Sequence, residues 1–105
     1  MHSIALLNDT LRMSFYGGKL VMTAAVAALP AEKQAQVMDR VRSFDAFTPD
    51  NDPHGEHDFG SFELGGERFF FKVDYYNADI TAGSEDPSEA KKTTRVLTVG
   101  FMSDY

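Results

Sequence analysis

Cysteine is absent from the 105 residues. That excludes disulfides, thiolate metal centres and thiol nucleophiles, and it fits a reducing compartment. No apolar run approaches the roughly 20 residues a helix needs to cross a bilayer. The opening stretch MHSIALLNDTLRM has no basic segment followed by a long apolar one, so it does not read as a secretion signal. A cytoplasmic protein without a membrane partner is expected. Positive charge is also scarce, with 10 Lys and Arg against 16 Asp and Glu, for a formal charge of −6. Binding nucleic acid through its phosphates requires a basic surface, so direct binding is not expected. Arg40, Arg42, Lys91, Lys92 and Arg95 are the candidates for a local basic patch. The acidic balance favours solubility, or a protein partner with a basic surface. Phosphate-cradling glycine loops are missing: Gly17-Gly18 precedes a strand pattern and Gly65-Gly66 sits in a turn. No serine stands in a nucleophile elbow.

What is present is enough for one core. Hydrophobic residues make up 43% of the chain and nine are phenylalanine, as expected of one domain of this size. Ile4, Leu7, Leu11 and Phe15 recur at helical spacing, with Ser3 a candidate N-cap. Gly17-Gly18 ends that helix, and residues 19–24 read as a strand. The stretch LPAEKQAQVMDRVRSFDAF reads as a helix, with Pro30 in its first turn and Val37, Val41 and Phe44 on its buried side. Thr48-Pro49 stops it. Two alternating runs flank Gly65-Gly66 and predict a hairpin. Its register sets Phe62 opposite Phe69, Glu63 opposite Arg68 and, if the strand reaches back far enough, His57 opposite Asp74. Residues 94–102 predict a last strand. The expected fold is α+β, with two helices packed on a small, mostly antiparallel four-stranded sheet in the order α-β-α-β-β-β. Phe69, Phe71, Val73 and Tyr75 would face the helices. Phe70, Lys72, Asp74 and Tyr76 would face outward, with Phe70 and Phe59 either a partner surface or covered by a loop.

Residues 48–60, TPDNDPHGEHDFG, gather four acids and two histidines. Asp50, Asp52 and His54 alternate as in a calcium loop, but Ser61 stands where the bidentate glutamate belongs, so that motif is excluded. A transition-metal site from Asp52, His54, His57 and Asp58 stays open on ligand type. So does acid–base chemistry by His57 with Asp74 and Glu63. The third reading is structural: Asp and Asn bond nearby amides, and His57 ties the loop to the sheet edge. The polar segment SEDPSEAKK adds Glu85, Asp86 and Glu89, a solvated loop or a second acidic contact surface.

The stretch FDAFTPDNDPHGEHDFGSFELGGERFFFKVDYY, followed by GSEDP and TTRVLTVGF, resembles the DUF3768 family of small bacterial proteins. The resemblance runs from LND at residues 7–9 to the terminal DY, and NDPHGEHDFG is its most specific part. It transfers no catalytic residue. It implies a place on plasmids and other mobile elements, where counter-defence roles are common. The sequence therefore points to a non-enzymatic acidic protein, without cofactor, that occludes a basic, nucleic-acid-handling partner such as a defence complex. Asp50, Asp52, Glu56, Asp58, Glu85 and Asp86 would carry the contact. The alternative is a nuclease-like or metal-dependent hydrolase using the 50–58 loop and the outer sheet face.

Overall fold

The computed structural model describes residues 3–105. The chain runs α1 (Ser3–Ser14), β1 (Lys19–Met22), α2 (Ala24–Ala27), α3 (Ala31–Ser43), β2 (Phe59–Leu64), β3 (Glu67–Tyr76) and β4 (Thr94–Phe101). Short 3₁₀ turns cover Ala90–Lys92 and Met102–Asp104. The sheet order is β1-β4-β3-β2, with β1 parallel to β4 and the other pairs antiparallel. This is the expected α+β architecture with one addition, the single-turn α2. Thr23 caps α2, its hydroxyl accepting from the Val26 amide, and Val26 is fully buried. That turn carries the chain from the sheet edge into the helix layer.

The hairpin forms as its turn chemistry dictates. Gly65 and Gly66 have φ of +61° and +81°, both in the left-handed region that a two-residue type I′ turn needs. Phe62 then faces Phe69 and Glu63 faces Arg68. Phe69, Phe71 and Val73 enter the core with Leu97 and Val99 of β4. Val37, Met38 and Val41 of α3 cover them, together with Leu11 of α1. Phe44 caps the end of α3 and packs edge-on against Phe71, with ring centroids 5.3 Å apart.

Two features differ from the pattern in the sequence. Of the α1 stripe only Leu11 is fully buried. The enclosed face is Ala5, Asn8, Asp9, Leu11 and Arg12, while Leu6 and Met13 are exposed. Ser3, the candidate N-cap, is itself part of α1. Secondly, Phe70 points to the outer face yet is only 2% exposed. The ring of Tyr105 lies 4.9 Å from it, and Phe59, half-buried, stacks on Phe70 and meets Tyr105 edge-on. The C-terminal turn therefore covers the outer aromatics.

At Gly60 the rings of Phe71 and of Phe44, at the end of α3, press close on β2. A Cβ there would stand 2.7 Å from Phe71 Cζ and 2.8 Å from Phe44 Cε1. Gly60→Ala is expected to cost about 1–3 kcal/mol by overpacking. Thermal unfolding should show a midpoint lower by roughly 5–15 °C; an unchanged midpoint would contradict this packing.

Candidate functional site

The polar face of α1, the 44–58 loop and the open ends of β3 and β4 meet in one bonded network. Arg12 is 1% exposed. Its Nη1 donates to the carbonyls of Val41 and Arg42 at 2.8 and 3.1 Å, at the end of α3. Those carbonyls have no partner within the helix, and a cation there also suits its dipole. Arg12 Nη2 pairs with Asp9 at 3.1 Å, and the guanidinium lies over the rings of Phe47 and Phe71.

Asp9 also holds His57, whose Nδ1 is 3.0 Å from both carboxylate oxygens. Nε2 of the same ring is 3.8 Å from Asp52. The imidazole stacks flat on Phe47, with centroids 4.0 Å apart. Asp52 faces inward and accepts from the amides of Glu56 and His57. Asn51 pins the preceding turn through Thr48 and Ala46. The loop is thus built by side chains bonding backbone amides, as Asx turns are.

His57 does not reach Asp74. Counting back along the register would pair them, but β2 begins at Phe59 and His57 has φ of +56°. That left-handed backbone turns the chain away from the sheet toward α1, where Asp9 replaces the expected partner. Asp74 instead pairs with Lys72 at 3.1 Å, and Glu63 is exposed on β2. The proposed His57, Asp74 and Glu63 set is therefore not brought together. A general base needs a ring nitrogen aimed at a substrate; Nδ1 of His57 is taken by Asp9, and Nε2 lies 3.8 Å from Asp52, beyond hydrogen-bond distance. The four residues of the possible metal set also diverge: His54 is exposed, Asp52 caps amides and His57 is held by Asp9. Among the described residues no group of three or more His, Asp and Glu side chains converges on a cation position.

A second half of the network centres on Asn8, which is fully buried. Its amide donates to the Glu56 carbonyl at 3.0 Å and to the Tyr75 hydroxyl at 2.8 Å. Its oxygen accepts from Arg95 Nε at 2.8 Å. Tyr75 in turn donates to Glu56 Oε1, and Arg95 donates to the Pro87 carbonyl and lies over the Tyr75 ring. Burial raises the Tyr75 pKa well above its ordinary value and lowers that of Arg95. Arg95 thus belongs to the interior, not to a basic patch.

Glu56 and Pro87 lie on the two acidic segments, so Asn8 and Arg95 tie both to one end of the molecule. Of the six expected contact residues, Asp50, Glu85 and Asp86 are exposed. Asp52 is consumed as a cap, while Glu56 and Asp58 are half-buried. Asp86 is held below the usual carboxylate range by hydrogen bonds from Ser88. The segment between β3 and β4 is itself bonded, Thr93 joining Ser84 and the Asp86 carbonyl.

Sequence reasoning missed Asn8, Asp9, Arg12 and Tyr75. The available signal was four polar residues, Asn8, Asp9, Thr10 and Arg12, within one turn and a half of α1, three of them enclosed. Fold and network together define a small α+β protein whose helices, loops and strand ends are joined at one polar end. The chain belongs to the DUF3768 family of proteins of unknown function, whose family model matches residues 22–104. No curated protein and no solved structure is similar to it.

His57→Ala removes the bond to Asp9 and the stack on Phe47. It is expected to lower stability by about 1–3 kcal/mol in chemical unfolding, and an unaltered stability would deny the ring its tying role. Asp58 gives a pH signature. Burial raises its carboxyl above the ordinary value, more than its backbone hydrogen bond lowers it. The fold therefore holds this proton more tightly than the unfolded chain does. Its contribution is complete below the unfolded pKa and disappears as pH rises through the raised value. At neutral pH Asp58→Asn should raise the midpoint of dilute protein by about 1–3 °C, a gain absent near pH 3; a fall at pH 7 would contradict it.

Proposed function

We propose that this protein is a non-enzymatic binding module whose acidic end occludes a basic surface on a nucleic-acid-handling partner. A mobile-element-encoded inhibitor of a defence complex would work in this way. The observation that carries the reading is the fixed placement of two acidic loops. Glu56 and Pro87, one on each loop, hang from the same buried Asn8–Arg95 pair. A rigid loop presents its charges without the ordering cost a mobile one would meet on binding. Asp50, Glu85 and Asp86 are exposed acids on the two loops, with Lys91 and Lys92 beside Glu85, and the −6 balance supplies a field that attracts a cationic surface. His57 is bonded to Asp9 and Asp74 to Lys72, which favours this over acid–base chemistry by the His57, Asp74 and Glu63 set.

An arginine-rich peptide bound to a short DNA duplex serves as the probe. Wild-type protein should displace the duplex at moderate salt. The variant Asp50→Lys/Glu85→Lys/Asp86→Lys should compete at least about tenfold more weakly, with its unfolding midpoint retained. Equal competition by the two proteins would sink the proposal.

A further inference from the structure

The sheet ends in two edges, and β2 is the longer. In a hairpin closed by a two-residue turn, the residues flanking the turn exchange both backbone bonds, and every second pair does likewise. Leu64, Phe62 and Gly60 therefore bond to β3. The bond from the Val73 amide to the Asp58 carbonyl, at 2.8 Å, continues the same alternation. Phe59, Ser61 and Glu63 consequently turn their amides and carbonyls to the open edge. The Glu63 carbonyl accepts from Arg40 at 3.0 Å, and a carbonyl has a second lone pair to offer. Beside Ser61 a cleft of about 300 Å³ opens between the strand and the end of α3, lined by Arg40, Ser43, Phe44, Asp45 and Phe62 among others. No proline, lysine or bulge interrupts this strand, the usual devices that protect an edge from pairing.

The charges along this edge are unevenly placed. On the helix face, Asp58 stands at the start of β2, half-buried and in no ion pair among the described residues. At the far end two cations approach the same face, also without ionic partners. The Arg40 guanidinium sits over the Phe62 ring, and Lys33 Nζ lies 2.6 Å from where a Cβ on Gly65 would stand. Glu63 and Arg68 oppose each other on the outer face, and Glu67 lies one strand further in. The β1 edge has only Lys19 and no such polarity.

We propose that β2 pairs antiparallel with β2 of a second copy, joining two sheets into one of eight strands across a two-fold axis at Ser61. An antiparallel strand is its own complement under two-fold symmetry. With Ser61 opposite its symmetry mate, Phe59 meets Glu63 and Asp58 meets Leu64 of the other copy. That register sets the unpaired Asp58 beside Arg40 and Lys33, and the two-fold repeats the contact. The acidic start of one strand lies against the cationic end of the other. A second copy thus satisfies the open backbone groups and the three unpaired charges together. This assembly is independent of the inhibitor reading.

The test is sedimentation equilibrium of the full chain over about two decades of concentration, with amide hydrogen exchange alongside. The mass should rise from 11.7 kDa toward twice that value, and exchange at Phe59, Ser61 and Glu63 should slow in step. Asp58→Lys or Arg40→Glu alone should weaken the dimer about tenfold, and the two together should restore it to within about threefold. Ser61→Pro removes the central amide twice and should weaken it at least tenfold. A single-chain mass throughout would overturn the inference. So would a dimer indifferent to Asp58→Lys, or one whose edge amides exchange at the same rate at every concentration.

Discussion

A fully enclosed arginine imposes the most severe constraint on this fold. Taking a guanidinium out of water is costly by several kcal/mol unless its hydrogens and charge are answered. The two Nη groups of Arg12 are answered by the Asp9 carboxylate and by two carbonyls at the end of α3, and the charge by two aromatic faces, while its buried Nε–H has no hydrogen-bond partner among the described residues. Each partner comes from a different part of the chain, so α1, α3, the 44–58 loop and β3 must all be in place for the charge to be tolerated. Asp9 then has a second use. Its remaining bonding capacity holds His57, and Asp52 holds the loop around that ring. One buried charge therefore fixes the helix angle, the helix end and the loop path together. Replacing a buried pair of this kind by apolar residues of equal volume is often neutral or stabilising, whereas removing one partner alone is costly.

The neighbouring Asn8 does for the strand ends what Arg12 does for the helices. It has no net charge, so its burial requires only that its donors and acceptor be matched, and three bonds match them. Because those bonds reach Glu56, Tyr75 and Arg95, the amide also fixes the spacing between two loops far apart in sequence. A network of this kind is cooperative, and a change in one member is felt by the others. It turns two polar loops into a single surface.

The hairpin was legible because its determinants are local: two glycines at a turn and strict alternation on either side. The register followed by counting, and so did most of the β3 core. The inward face of α1 was not legible from apolar periodicity, because Asn8, Asp9 and Arg12 are buried by virtue of partners 29 to 87 positions away. Periodicity places apolar residues inside and has no means of placing a satisfied polar one there. His57 failed for a related reason. A positive φ at a residue that is not glycine breaks a count of alternating faces, and nothing in its side chain announces it. Phe70 stayed open between a partner surface and a covered aromatic, because the residue that shields it, Tyr105, lies beyond β4 and outside any strand alternation.

The sheet order carries a consequence for how the chain comes to be folded. β1 is the first strand made and β4 the last, yet they lie side by side, and β4 also forms the central seam with β3. While the chain is still on the ribosome the hairpin can close on itself, but β1 has no neighbour. Pairing across so long a separation is slow, and an unpaired strand edge invites association with other nascent chains. The sheet is thus completed only once β4 is available to pair with β1. A chain shortened by a dozen residues would lose the middle of its sheet as well as its end.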